Sequence, residues 1–241
     1  MTENIELITE ADDKDTRKGV TRWLIREIMG GLFSGLIVFI AAGRFDLVWG
    51  WVLMGVYLSW TAATAIVLIP RCPELLAERA TRSKSMKTWD ARLMSLIGLL
   101  TLAKYVLAGL DLRFAWTGGI PIAAHLTALV IAASTFALVT WSMAANAFFS
   151  LIVRIQDDRQ HAVADNGPYR YVRHPGYIGA LVFELASPIL LGSLWALIPG
   201  VVAALLFILR TALEDRTLHE ELPGYTEFAQ RTRYRLLPGV W

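Results

Sequence analysis

The sequence is divided into six long apolar runs, and nearly all of its charged residues stand between these runs rather than within them. The runs cover about residues 24–42, 47–69, 93–110, 121–149, 177–191 and 194–212. A helix needs about 20 apolar residues to cross a bilayer, and a helix satisfies all of its backbone hydrogen bonds internally. The pattern therefore predicts an all-α, polytopic membrane helical bundle of about six transmembrane segments.

The composition agrees with this fold class, because 55% of the residues are hydrophobic and only 18% are charged, which is unusual for a soluble domain. We expect one membrane-embedded domain over residues 23–241, preceded by a polar tail over residues 1–22. The tail lacks the apolar centre of a cleavable signal peptide. A net charge of +2 gives no reason to expect a nucleic-acid partner. The single cysteine, Cys72, argues against a cysteine-rich metal site, so no metal is expected.

The last two apolar runs are short and are separated only by Leu191-Gly192-Ser193. Pro188 and Pro199 lie close to this turn, and glycine and proline are typical of tight connections. We therefore expect a short antiparallel helical hairpin. Such a hairpin brings the residues that enter its first helix close to those that leave its second helix, so both sets can contribute to one pocket.

Lysine and arginine are concentrated in alternate connections. The N-terminal region, residues 71–92, residues 150–175 and the C-terminal end are rich in them, whereas the three intervening connections hold one, one and none. Cytoplasmic connections of membrane proteins carry the excess of positive charge. The pattern predicts a multi-pass protein with cytoplasmic N- and C-termini, in a membrane of the bacterial inner-membrane type. The expected pocket then opens on the cytoplasmic face.

A dense mixture of cations, aromatic rings, glycine and proline precedes the fifth apolar run, in the segment Gly-Pro-Tyr-Arg-Tyr-Val-Arg-His-Pro-Gly-Tyr-Ile-Gly over residues 167–179. Pro175 favours a helix start directly after His174. Arg173 and His174 are thereby expected at a helix N-terminus, where free amide groups and the helix dipole favour an anion. A plainer interpretation is that these residues anchor the protein at the membrane surface.

Three ionisable residues in the hairpin also allow two interpretations each. Arg210 and Glu214 are four residues apart, so they form either an ion pair within one helix or a site that binds carboxylate and amine groups. Glu184 lies inside the fifth run, where an ionisable group is often functional. It either faces the acceptor in a membrane tunnel or bonds to a neighbouring helix, with Lys104 as the candidate partner.

These residues together resemble a known family. The run Gly-Pro-Tyr-x-x-Val-Arg-His-Pro-x-Tyr-x-Gly, followed by Arg-x-x-x-Glu-Asp and a Tyr-x-x-Phe tail, is similar to the isoprenylcysteine carboxyl methyltransferase and phospholipid methyltransferase superfamily. The resemblance covers residues 146–241, which it marks as the cofactor-binding core. It implies an integral-membrane enzyme that transfers a methyl group from S-adenosylmethionine to a lipophilic or amphipathic acceptor. Carboxyl O-methylation of an isoprenylcysteine-like substrate is favoured, with phospholipid N-methylation as the main alternative.

The resemblance also implies roles for individual residues. Arg210 is expected to contact the substrate and Glu214 the cofactor, and both are the catalytic candidates. Glu184 is a further candidate for substrate binding because of its depth in the fifth run. Arg154 or Gln156 could supply a further polar contact, and the sequence does not choose between them. The residues expected to bind the cofactor are His161, Val163, Tyr169, Arg173, His174, Pro175, Gly176, Tyr177 and Glu214.

Two other functions fit the same pattern. A membrane reductase could place the 2′-phosphate of NADPH in the cationic pocket, and a non-catalytic protein could use its basic loops to bind anionic lipid headgroups. The expected partners are a lipophilic small molecule or lipid and the membrane itself. No obligate protein partner is evident.

Overall fold

The computed structural model describes residues 2–80 and 86–241, with side chains from residue 14 onward. These residues form helices and no strand. The α-helices are α1 (Thr2–Ala42), α2 (Val48–Leu68), α3 (Pro73–Ala80), α4 (Thr88–Phe114), α5 (Ile122–Ala145), α6 (Pro175–Leu191), α7 (Leu197–Glu221) and α8 (Tyr225–Arg231). Two short 3-10 turns, Asp157–Arg159 and Gly167–Arg170, lie in the long connection between α5 and α6.

Five of the helices are long and apolar enough to cross a membrane, namely α1 from Lys14, α2, α4, α5 and α7. Helix α6 is also apolar but has only 17 residues. Large apolar side chains are exposed on the outer faces of the bundle, such as Ile40, Ile66 and Val130, as expected where the solvent is lipid. The prediction of an all-α membrane bundle is confirmed, and the chain is an integral membrane protein.

Helix α1 and the 71–92 connection differ from the sequence-based picture. The polar residues expected as a separate tail continue directly into the first apolar run, because no proline interrupts residues 2–42. Helix α3 lies within the connection that the sequence indicated only as a basic loop. It starts at a proline, which suits the first helical position. It buries Leu75 and Leu76 against Val20 and Trp23 of α1.

The predicted hairpin is formed by α6 and α7, which pack against each other and against α5 and α4. Its turn uses Gly192 with φ of 87°, a conformation that glycine adopts without strain. The two helices approach closely, since a Cβ atom on Gly200 would lie 2.6 Å from the carbonyl oxygen of Glu184. Helix α7 extends to Glu221, well beyond the apolar run. Its last part is therefore polar and lies outside the apolar region of the bundle.

Lys104 of α4 and Glu184 of α6 form an ion pair inside the bundle, with 2.7 Å between Nζ and Oε2. Both residues are buried. The partner that the sequence suggested for Glu184 is therefore the one found. This pair joins α4 to α6 inside the bundle, where few other polar groups are present to bind either charge.

Candidate active site

A cavity of about 280 Å³ lies where the start of α6 meets the polar half of α7 and the connection from α5. Its size is near the lower end of small-molecule sites. Pro175 and Glu184, which the sequence also indicated as site residues, are not among the described residues that form its wall. The predicted site residues that line it are His161, Val163, Tyr169, Arg173, His174, Gly176, Tyr177, Arg210 and Glu214.

Helix α6 begins at Pro175, with His174 as its N-cap in a non-helical conformation. This is the arrangement predicted from the His-Pro pair. Gly176 follows in the first turn, and a Cβ atom there would lie 2.5 Å from Cζ of Phe149. The absence of a side chain at Gly176 thus allows the ring of Phe149 to pack over the helix start and form part of the wall.

The carboxylate of Asp215 organises the polar end of the site from a fully buried position on α7. Nε and Nη2 of Arg173 donate to it at 2.8 and 3.1 Å, and Nε of Arg235 donates at 2.7 Å. Nε2 of His174 lies 3.1 Å away, and the hydroxyl of Tyr225 donates at 2.9 Å. Asp215 therefore joins the α6 start, α7, α8 and the C-terminal segment.

Arg173, which the sequence indicated as a cofactor-binding residue, also bonds to several groups of the protein. Its remaining nitrogen, Nη1, donates to the carbonyl oxygens of Thr232 and Arg233 at 2.9 and 2.7 Å. Burial alone would lower the pKa of Arg173, but the hydrogen bonds and charge of Asp215 raise it above its ordinary value. Its guanidinium is thus committed to the protein itself, although Arg173 borders the cavity.

Glu214, one residue before Asp215, faces the cavity and accepts a hydrogen bond from the hydroxyl of Tyr177. Among the described residues, Glu214 forms no ion pair with Arg210, so the simple intrahelical pair is not present. Arg210 instead bonds to Asp90 of α4, with 2.6 Å between Nε and Oδ1. Its guanidinium also lies 5.4 Å from the ring centre of Tyr177. The α6 start and α7 thus meet through Tyr177.

His161 closes the side of the cavity formed by the connection between α5 and α6. Its Nδ1 accepts the backbone N–H of Gln156 at 3.3 Å, and its ring packs on Phe148 with 4.6 Å between centroids. Burial, followed by the charge of Arg154, lowers the pKa of His161 to about 4. The imidazole is therefore neutral near pH 7 and carries its proton on Nε2.

The connection between α5 and α6 also separates the two candidates for the further polar contact. Arg154 lines the cavity, where it forms an ion pair with Glu78 at 3.4 Å. Gln156 is fully buried, and its Nε2 donates to the carbonyl oxygen of Phe148 at 2.9 Å. Of the two, only Arg154 is placed to contact a ligand.

The cavity has a polar end and an apolar end. Met94, Val139, Ala180 and Phe207 form much of the apolar end, and all four belong to membrane helices. Arg79 of α3 also reaches the wall. Burial lowers the pKa of Arg79 to about 10, which leaves it cationic near neutral pH.

Sequence reasoning missed Asp90, Asp215 and Arg79 as parts of this site. Asp215 had a signal, since it follows Glu214 directly in the motif. Asp90 and Arg79 had none, because they lie in a charged connection 120 and more positions before Arg210. Their proximity depends on how α3, α4 and α7 pack together.

Comparison with known proteins assigns the segment that carries most of this site. Residues 126–220 match the model of the isoprenylcysteine carboxyl methyltransferase family. This segment is similar to that family. The matching segment includes α6 and nearly all of α7, with the connection that precedes them. Asp90, Arg79 and the C-terminal segment around Arg235 lie outside it.

Individual relatives share the family name. The chain is 40% identical over 45 residues to "Protein-S-isoprenylcysteine O-methyltransferase" of Schizosaccharomyces pombe, which covers 19% of each protein. It is 29% identical over 90 residues to "Probable protein-S-isoprenylcysteine O-methyltransferase" of Oryza sativa subsp. indica, which covers 34% of this chain and 44% of the rice protein. The matched part thus spans less than half the length of these relatives.

Proposed function

We propose that the protein transfers a methyl group from S-adenosylmethionine to the carboxylate of a lipophilic, isoprenylcysteine-like acceptor. The observation that carries this proposal is a cavity with one polar and one apolar end, lined by His174 and Tyr177 at the start of α6 and by Glu214 of α7. The match of residues 126–220 to the family model supports it.

The polar end has the donor set that the cofactor requires. S-adenosylmethionine, when bound, supplies an electrophilic methyl group on a sulfonium. The carboxylate of Glu214 suits the cofactor's ammonium group, and the Nε2–H of the neutral His161 is a hydrogen-bond donor. The ring of Tyr169, buried in the wall, offers an aromatic face for the adenine or the sulfonium.

The apolar end suits the acceptor. Val139 and Phe207 offer contacts for a hydrocarbon chain, and Arg210 offers a cation for its carboxylate. A carboxylate attacks a methyl group without a general base, so the protein mainly has to align the two reactants and exclude water. The cations of Arg79 and Arg210 would repel a protonated amine, which disfavours phospholipid N-methylation.

We also propose that the cavity and both chain termini face the cytoplasm, in a membrane of the bacterial inner-membrane type. The distribution of lysine and arginine supports this orientation. A reporter enzyme fused after Trp241 that is active only outside the cytoplasm should give no signal. A strong signal would overturn the orientation and leave the proposed chemistry untouched.

The function is tested with purified protein in detergent, methyl-labelled S-adenosylmethionine and two acceptors. The expected product with N-acetyl-S-farnesylcysteine is a labelled ester that releases methanol in base. Labelled lipid from phosphatidylethanolamine vesicles would instead indicate N-methylation. Calorimetry that detects NADPH but not S-adenosylhomocysteine would support the reductase, and binding of neither with no turnover would support a lipid-binding role.

A further inference from the structure

Asp90 lies in the first turn of α4 and accepts hydrogen bonds from the guanidinium of Arg210, although Asp90 itself does not line the cavity. Its Oδ1 accepts Nε of Arg210 at 2.6 Å, and its Oδ2 accepts Nη2 at 3.2 Å. Asp90 is fully buried and is absent from the described residues that line the cavity. It can therefore act on a ligand only through other residues.

The hydrogen bonds of Arg210 leave one of its nitrogens for the cavity. Nη2 also donates to the carbonyl oxygen of Leu151 at 2.8 Å, so Nε and Nη2 are both used by the protein. Within the described part of the chain, Nη1 forms no hydrogen bond. If Nη1 were fully buried, it would be a buried nitrogen without a partner, and it is not one of these. Nη1 therefore keeps some exposed surface. It is thus open to the cavity that Arg210 lines.

Asp90 also binds a neighbouring part of the cavity wall, the backbone at Val153. Its Oδ2 accepts the backbone N–H of Val153 at 2.7 Å, so one carboxylate fixes both Arg210 and the segment Leu151–Val153. The position of Asp90 in the first turn of α4 favours its negative charge through the helix dipole. A planar guanidinium held at two nitrogens has little freedom to turn.

We infer that Asp90 is a positioning residue for acceptor recognition, because it directs Nη1 of Arg210 towards the acceptor carboxylate. This inference rests on the proposed function. It places a determinant of acceptor binding on α4, outside the segment that matches the family. The cofactor end of the cavity, around His174 and Glu214, is held by Asp215 and not by Asp90.

The test separates acceptor binding from cofactor binding. Asp90→Asn removes the charge and introduces an NH₂ group beside the donors of Arg210. The expected result is a KM for N-acetyl-S-farnesylcysteine raised by about tenfold or more, with the Kd for S-adenosylhomocysteine changed by less than about twofold. Asp90→Glu keeps the charge but displaces the carboxylate by one methylene. It should raise the KM as well, and it covers the case in which Asp90→Asn does not fold.

Arg210→Ala and the double variant Asp90→Asn/Arg210→Ala complete a mutant cycle. If Asp90 acts through Arg210, adding Asp90→Asn to Arg210→Ala should not raise the KM further. The control is Asp111→Asn, which alters a carboxylate at the other end of α4 that is likewise buried and bonded to Thr117 and Ser193. It should lower the thermal midpoint without changing the KM.

Each other outcome overturns a distinct statement. Wild-type KM values in both Asp90 variants would overturn the role of Asp90. An equal loss of S-adenosylhomocysteine affinity, or additive effects in the cycle, would show a merely structural role and would also overturn it. A wild-type protein that methylates neither acceptor would overturn the proposed function, and the role of Asp90 with it.

Discussion

Nε2 of His174, the N-cap of α6, lies 3.1 Å from Oδ1 of Asp215 on α7, although the two residues are 41 positions apart. The hairpin of α6 and α7 makes this contact, because its turn returns the chain to the side of the membrane from which it came. His174 caps α6 at the cavity wall, and Asp215 lies behind it. The polar end of the site is therefore built by the meeting of two helix ends.

Asp215→Asn should weaken both stability and cofactor binding. The substitution leaves Arg173 and Arg235 without their buried counter-charge, and breaking a buried ion pair costs about 3–5 kcal/mol. Thermal unfolding in detergent and calorimetry with S-adenosylhomocysteine measure the two effects. Asp165→Asn is the matched control, because its ion pair with Arg231 is exposed and such pairs contribute about 0–1 kcal/mol. Equal stability of the two variants would contradict the central role of Asp215.

Glu214→Gln should lower the affinity for S-adenosylhomocysteine by about tenfold or more, since a charged hydrogen bond to the ammonium group is lost. Tyr177→Phe should have a smaller effect, because it removes the hydroxyl that donates to Glu214 but keeps the carboxylate. Glu220→Gln is the control on the same helix, where Glu220 pairs with Arg216 on the exposed surface. Unchanged binding by Glu214→Gln would remove Glu214 from the cofactor site.

Glu184 is tested through its partner. Lys104→Met leaves the carboxylate of Glu184 buried without a counter-charge and should destabilise the protein by about 3–5 kcal/mol. The double variant Lys104→Met/Glu184→Gln should recover much of this loss, as seen in thermal midpoints. The double variant should keep the wild-type KM for the acceptor if the pair only joins α4 to α6. A raised KM in a variant of wild-type stability would instead support a substrate-binding role for Glu184.

Acid should destabilise the protein through His161. Burial holds the pKa of His161 in the fold at about 4, below the value of about 6.5 for an exposed histidine. The folded protein thus favours the neutral imidazole, and this contribution is full above about pH 6.5 and decreases as the pH falls towards 4. Protonation also turns Nδ1 of His161 into a donor, so it can no longer accept the hydrogen bond from the backbone N–H of Gln156.

The measurement compares the thermal midpoints of the wild type and His161→Asn between pH 7.5 and 4.5. Asparagine offers an oxygen acceptor but has no proton to gain in this range. The wild-type midpoint should decrease more steeply than that of the variant. Parallel curves would show that His161 does not titrate in the predicted way.

The helical bundle could be predicted from the sequence because apolar runs of spanning length leave few alternatives in a membrane. Local chemistry also identified the α6 start, since the His174-Pro175 pair disfavours continuation of a helix from the preceding residues. The motif around Glu214 pointed to the same cavity. The short helix α3 could not be predicted in this way, because its two buried leucines have a partner only once α1 is in place.

The sequence by itself determined the class of fold and the hairpin, because hydropathy and backbone preferences act over short stretches of chain. It also indicated nine of the residues that line the cavity. Only the tertiary structure decided which charges pair. Arg210 bonds to Asp90 rather than to Glu214, and Arg173 is occupied by Asp215. For Glu184 the sequence left two interpretations open, and the structure shows the pair with Lys104. The physical reason is that an ion pair depends on distances of a few ångströms between helices, and these distances are set by the packing of the whole bundle.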